Sequence, residues 1–403
     1  MNNARRSITP DEALSLVIET AESLDPQTVD VAAACGLTLA EPIAADGDYP
    51  SFRRSMMDGF AVRVADAGQT LSVAGLLPAG AVWDGELPAG RCLEILTGAP
   101  CPPGVEAVVP KENVARHADQ VTLPVEICRD QNIARRGSEC RAGQVVMSPG
   151  DLVTPMAVGV LASFSRSTVR VIPRPSLGLI TTGAELAAAE GPLRQGQIRD
   201  SNGPMLVAMA QAQGINPRQT THVADRLEAI RAALQAADDC NIVVLTGGVS
   251  VGMFDLVPQA LVDCGAETVF HGVTQKPGKP LLFARKDRQL LFGLPGNPLA
   301  CHFGFHRYIS AAIFKLSGQS PHRAQMQGEL TRAPPQIKGG RTHFVLGWAE
   351  FATDPTPRFR VRVLPSVSSA DIFHGCQANC YVELRSEGST PSAGNTCAFT
   401  WLG

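Results

Sequence analysis

Between residues 173 and 318 the chain alternates short apolar runs with helix-periodic segments, and this alternation constrains the fold more than any other feature. Runs at Leu177–Thr181, Ile242–Leu245, Leu281–Ala284 and Leu290–Phe292 have the length of buried strands. Pro204–Gln213, Asp225–Ala237, Leu256–Asp263 and Pro298–Leu316 read as helices, the second with Asp225 and Glu228 as its capping pair. Strands that alternate with helices predict a doubly wound, mainly parallel α/β domain over residues 173–320.

The flanks carry a different pattern. Thr9, Pro10 and Glu12 stand as N-cap, N1 and N3 of a first helix, with Leu14, Val17, Ile18 and Ala21 at helical spacing behind them. Residues 41–53 break that pattern with two prolines and a glycine. From there to about residue 137, β-like runs at Leu71–Ala74, Cys92–Leu96 and Val121–Ile127 alternate with Gly and Pro, which predicts a small β domain. After Gly318 the text is again short β runs, as far as Trp401. The expected class is therefore multi-domain, α/β plus β.

Composition removes several functions. At 403 residues with 44% apolar and 18% charged side chains, the chain can bury more than one core. A net charge of −3 gives no whole-chain attraction for nucleic acid, and 5% aromatics offers few stacking platforms. No stretch approaches the roughly 20 apolar residues of a membrane span, and the start, MNNARRSITPDEALSLVIE, has no apolar signal core. A soluble, cytoplasmic protein is expected. Its eleven cysteines are scattered, and Cys376 and Cys380 have no second pair at zinc spacing, so free thiols are expected.

The special segments of the α/β region fall where strands hand over to helices or loops. They are TTGAEL (181–186), TGGVSVG (246–252), KPGKP (276–280) and GLPGNP (293–298). Glycines at the carboxyl ends of strands let backbone N–H groups approach a phosphate, and the following helix N-terminus favours negative charge. Neither GxxxxGK[ST] nor GxGxxG is present, so a nucleotide P-loop and a dinucleotide fold are not indicated. Lys276 and Lys279, stiffened by Pro277 and Pro280, suit an oxyanion. Asp58, Glu185, Asp200 and Asp255 stand in otherwise uncharged loops, where a carboxylate beside phosphate would serve to hold Mg²⁺. GVSVG around Ser250 fits the G-x-S-x-G nucleophile pattern, but no Asp and His partner can be assigned to it.

Six motifs occur in one order: SMMDGFAV (55–62), TGAPCPPGVEAVV (97–109), GQIRDSN (196–202), TGGVSVG, KPGKP and GLPGNP. In this the chain resembles the molybdopterin molybdenumtransferases, the bacterial MoeA proteins and the E domain of gephyrin, over residues 8–400. The resemblance implies a homodimer of four-domain subunits: residues 1–45 with 138–172, an inserted β domain 46–137, the α/β domain 173–320, and a β domain 321–403. It implies Mg²⁺-dependent insertion of molybdate into adenylylated molybdopterin with release of AMP, and exchange with other molybdenum-cofactor biosynthesis proteins. By motif match Asp58 and Thr97 would reach the active site from the β domain of a partner subunit. Asp58, Glu185, Asp225 and Asp255 would be catalytic, with Asp58, Glu185 and Asp255 holding the metal. Substrate would meet Asp200, Ser201, Asn202, Gly247, Gly248, Ser250, Lys276, Lys279, Pro295, Asn297, Pro298 and Arg341.

The chain departs from the family pattern at Ala184, Glu139, Leu346 and Ala370. Leu346 and Ala370 replace an Arg and a Ser of the family's proposed molybdate pocket. They keep one other reading open, a pterin carrier or scaffold without catalysis, and the α/β domain by itself keeps open another, a molybdopterin adenylyltransferase.

Overall fold

Along the strand Leu177–Thr182 successive side chains point to opposite faces, and both faces are covered. Leu177 and Leu179 enter one core with Ile242, Val244 and Phe292, while Ile180 enters the other with Val243, Leu245 and Leu291. The structure, a computed structural model, describes residues 5–187, 190–249, 256–334, 340–353, 358–385 and 391–402. The chain divides into two compact units, residues 1–27 with 171–403, and residues 28–170.

The first unit contains β1 (Arg5–Ile8), α1 (Pro10–Thr20), β2 (Leu177–Thr182), α2 (Asn202–Ala212), β3 (Gln219–Val223), α3 (Leu227–Ala236) and β4 (Ile242–Thr246). There follow α4 (Val257–Asp263), β5 (Glu267–Val273), β6 (Leu282–Lys286), β7 (Gln289–Leu294), α5 (Pro298–Gly304) and α6 (Ser310–Leu316). The seven strands form one sheet in the order β1-β5-β6-β7-β4-β2-β3. Neighbours are parallel except at β6, which runs antiparallel to both β5 and β7. Helices α1, α2, α5 and α6 cover one face and α3 and α4 the other, giving the doubly wound arrangement.

The same unit ends in a β module. Thr342–Ala352, Arg358–Val363, Met326–Leu330, Thr396–Trp401 and Cys380–Leu384 pair in that order, and the first also pairs with the last. The ring closes around Leu330, Val361, Val382 and Phe399, which leaves no open edge among these five strands. In the second unit, Gly59–Val62 lies between Arg91–Ile95 and Ala107–Pro110 in a six-stranded sheet, with Phe60, Val62, Cys92 and Val109 fully buried.

Local chemistry sets the first helix as expected. The Thr9 hydroxyl accepts from the Glu12 N–H at 3.2 Å, and the Glu12 carboxylate accepts from the Thr9 N–H at 3.0 Å, with Pro10 in the first turn. The strand before it is a departure from the four-part division. Arg5–Ile8 pairs in parallel with Phe270–Val273, and Ala13 and Val17 pack into the α/β core, so residues 1–27 belong with that unit rather than with 28–170.

Other expectations also change. The helix after Asp225 begins at Leu227 without a side-chain cap, because the Asp225 carboxylate lies 3.5 Å from the Thr182 hydroxyl instead. Strands β3 and β5 carry polar and half-buried residues, and the apolar pattern did not mark them. The long final helix contains a π turn at Phe305–Ile309 between α5 and α6. All eleven cysteines are free thiols; Cys92, Cys240, Cys301, Cys380 and Cys397 are buried. No described helix is long and apolar enough to cross a membrane.

Replacing Thr9 by Ala removes the hydroxyl half of the capping box. The expected loss is about 1 kcal/mol of stability, read as a lower urea midpoint with an unchanged slope.

Candidate active site

Strands β2, β4 and β7 are adjacent and parallel, with Thr181 opposite Thr246 and Thr246 opposite Leu294. They therefore end at one level, and the chain beyond their carboxyl ends walls a cleft of about 720 Å³. That size suits a single cofactor-sized ligand. Thr182 and Glu185 follow the first strand, Thr246, Gly247, Gly248 and Val249 the second, and Pro295, Gly296, Asn297 and Pro298 the third. Arg199, Asp200, Ser201 and Asn202 enter from the start of α2, and Ala370, Ile372 and Phe373 from the β module.

Gly247 is the tightest point. Its φ is +89°, its N–H donates to the Leu294 carbonyl at 3.1 Å, and a Cβ there would lie 2.1 Å from the Thr182 carbonyl oxygen. Gly248 follows with φ +58°. Two successive residues in the left-handed region are accessible to glycine and costly for other residues. At α2 the Asp200 carboxylate accepts from the Gly203 N–H at 2.9 Å and so closes the first turn. Ser201 and Asn202 then stand at the positive end of an eleven-residue helix, where an anion is favoured.

Asn202 spans the cleft floor. It is buried, and its Nδ2 donates to the Gly296 carbonyl at 2.8 Å, while its Oδ1 has no partner among the described residues. Asn297 is aimed by a donation to the Ser369 Oγ at 2.7 Å, which ties the α5 start to the β module. Cys301 donates its thiol to the Pro295 carbonyl at 2.8 Å, and burial pushes that thiol far above its ordinary pKa, so it supports the loop and is no nucleophile.

The remaining expected residues are placed as follows. Asp225 stands beside Thr182 and Gly248 and is not among the residues that line the cleft. Lys276 borders a separate cavity of about 130 Å³ with Leu346, Ser368 and Ser369. Lys279 is exposed; neither lysine pairs with a carboxylate among the described residues. Arg341 is half-buried and does not line the cleft. Ser250 and Asp255 lie outside the described residues. Leu346 is buried and paired with Tyr381, so the position contributes an apolar side chain to the core.

The second unit brings Asp58 and Thr97 together. One Asp58 carboxylate oxygen accepts from both the Thr97 N–H and its hydroxyl, each at 2.8 Å, and Lys111 lies 3.9 Å from the other oxygen. These donations from Thr97 hold the Asp58 carboxyl below its ordinary range.

No cluster of three or more potential metal ligands exists among the described residues. The cleft carries two carboxylates, Glu185 and Asp200, and that donor set fits Mg²⁺, which takes one or two carboxylates and completes its shell with phosphate oxygens and water. Thr182, Thr246, Arg199 and Phe373 also line the cleft and were not singled out from sequence. The threonines carry a readable signal, a hydroxyl at the last position of each apolar run. Phe373 carries none.

Two outcomes follow. Gly247→Ala forces a methyl against the Thr182 carbonyl at positive φ and lowers stability by about 2 kcal/mol or more in urea unfolding. Thr97→Ala removes a donor from Asp58, and carboxyl NMR finds the Asp58 pKa shifted upward. Because that pKa is depressed in the folded state, the associated stability is present above the ordinary carboxylate pKa and is lost as pH falls through the lowered value. The wild-type advantage over Thr97→Ala therefore shrinks in acid.

Two family models match the chain in sequence, the MoeA N-terminal region (domain I and II) over residues 8–165 and a probable molybdopterin binding domain over 178–315. A molybdopterin molybdenumtransferase of Staphylococcus aureus strain Mu50 is 34% identical over 344 residues, 82% of each chain. One from Staphylococcus epidermidis strain RP62A is 34% identical over 322 residues, covering 78% of this chain and 77% of its own. The crystal structure of a molybdopterin biosynthesis MoeA protein from Pyrococcus horikoshii OT3 superposes with a TM-score of 0.81 at 26% identity, covering 98% of this chain and all of that one. On this identity and coverage, and with a cleft built from the family's own motifs, the chain belongs to the molybdopterin molybdenumtransferase family of multi-domain enzymes.

Proposed function

We propose that this chain, as a cytoplasmic homodimer, inserts molybdate into adenylylated molybdopterin in a Mg²⁺-dependent reaction that releases AMP. The observation that carries the reading is the cleft at the carboxyl ends of β2, β4 and β7. There two glycines, a helix N-terminus, two carboxylates and an aromatic ring converge on a volume fit for a phosphate-bearing heterocycle. The family membership supplies the reaction class.

Within that cleft the residues have separable tasks. Backbone N–H groups beside Gly247 and Gly248, with the α2 N-terminus, receive phosphate oxygens. Asn202 offers its free Oδ1 to a donor on the substrate. Glu185 and Asp200 would hold Mg²⁺, which supplies polarisation of the phosphoanhydride when bound. Asp255 and Ser250 join the same proposal through their motif, and so do Asp58 and Thr97, contributed by the second copy. Lys276, Lys279 and Arg341 are the remaining cations for molybdate.

Phe373 would stack on one of the substrate's flat rings. It is 83% exposed at the cleft rim, so its ring is open to a flat partner there. Its backbone is fixed by Asp371, whose carboxylate accepts from the Phe373 N–H at 3.3 Å and the Val367 N–H at 3.1 Å.

One observation favours a second reading, a pterin carrier without catalysis. Ala370 lines the cleft where a hydroxyl is expected, and Leu346 beside Lys276 brings no charge. An adenylyltransferase is disfavoured, since the match to the MoeA N-terminal region gives the chain a second unit which that activity does not require.

The deciding experiment mixes protein, adenylylated molybdopterin, Mg²⁺ and molybdate and measures AMP and pterin product by mass. Product formation is expected; pterin binding without AMP release installs the carrier reading. Glu185→Gln should reduce AMP release on the order of 100-fold, about 2.7 kcal/mol of transition-state stabilisation, with a far smaller change in pterin affinity. Phe373→Ala should raise KM about tenfold with kcat nearly unchanged, the size expected for one lost base–aromatic stack, and Phe373→Trp should restore it. An unchanged KM in Phe373→Ala removes the stacking role.

A further inference from the structure

A second cavity, of about 230 Å³, lies where α1, the π turn and the β module meet, and the cleft residues do not line it. Its wall includes Asp11, His306, Arg307, Arg323, Tyr381 and Glu383.

The wall carries two carboxylates and two guanidinium groups, and Arg385, from outside it, engages both carboxylates. Asp11 is taken by Arg307 at 2.7 Å and Arg385 at 3.2 Å. The buried Glu383 carboxylate accepts from Arg385 at 2.7 Å and from Gln325 at 3.0 Å. Arg323 is left over. Its polar contact is a 3.4 Å donation from Nη1 to the Trp401 carbonyl, it pairs with no carboxylate among the described residues, and its Nε is buried without a partner. Arg307 Nε is likewise buried and unpartnered. Burial works against the Arg323 charge, lowering its pKa.

His306 adds a third unsatisfied nitrogen. It is 4% exposed, its Nε2 has no partner, and burial pushes its pKa down to about 3, so the ring is neutral at pH 7 and can donate one N–H. Both His306 and Arg307 sit on the π turn, whose extra residue per turn widens the helix at this point. A half-buried guanidinium whose Nε is buried without a partner and a buried imidazole nitrogen without a partner each cost stability unless a ligand completes them.

We infer that this cavity is a binding site for a small tetrahedral oxyanion of phosphate or sulfate type, held by Arg323 with Arg307 and His306. Two guanidinium groups supply charge-assisted donors and the neutral imidazole a further one. The aromatic floor of Phe303, Phe344 and Tyr381 keeps the site at low dielectric, which strengthens each contact.

The test is titration of the full-length protein with inorganic phosphate and, separately, sodium sulfate, followed by calorimetry and thermal unfolding. Wild type should bind saturably and melt at a higher temperature with the anion present. Arg323→Gln should bind at least about tenfold more weakly and lose the anion-dependent rise in Tm. Asn202→Ala, which alters the cleft, should keep both. Arg323→Lys retains charge without the fork, and an intermediate affinity is expected; it reports the same effect if Arg323→Gln does not fold. Binding of one anion and not the other names the ligand within the class. Absence of saturable binding in wild type overturns the inference, and so does binding lost in Asn202→Ala but retained in both Arg323 variants.

Discussion

The rest of the α/β unit is arranged around a contact with almost no room in it, the Gly247 Cα against the Thr182 carbonyl. On one side Gly247 is tied to Leu294 by its N–H, and on the other the carbonyl leaves no space for a Cβ. Three parallel strand ends are thereby held at one level, and the cleft is the space that remains above them. Because Gly247 and Gly248 add no side chain to the wall, a ligand can approach the backbone there without side-chain entropy to lose. The carboxylates and the Asn202 amide then need only short reaches to complete a polar site.

What could be read from sequence was whatever depends on few neighbours. The Thr9–Pro10–Glu12 cap is local chemistry, and the structure contains it as written. Gly247 and Gly248 are legible because a positive φ leaves little choice of residue. Asp225 shows the opposite case. As a local signal it is a helix cap, but a threonine on the neighbouring strand competes for the same carboxylate, and only the sheet order brings them together. Strands β3 and β5 were missed because edge and near-edge positions tolerate the polar residues that blur a period-two pattern. Phe373 and the π turn have no local signature at all. Their positions follow from how the β module meets the α/β core.

The module's contribution to the cleft also bears on residues 346 and 370. Leu346 lies in the apolar cluster with Phe303, Phe344 and Tyr381, so its hydrophobicity is used for packing. Ala370 sits on a turn whose neighbours Ser368 and Ser369 already engage backbone and Asn297. Ala370 thus lies beside a hydroxyl that is anchored in place.

The pairing of Arg5–Ile8 with Phe270–Val273 has a consequence for how the chain is made. The Thr274 hydroxyl donates to the Ile8 carbonyl across 266 positions of sequence. During synthesis the first strand therefore waits for its partner while residues 28–170, a compact unit by themselves, are made and can already close. Large sequence separation slows folding, since the intervening chain must be ordered or looped before the contact forms.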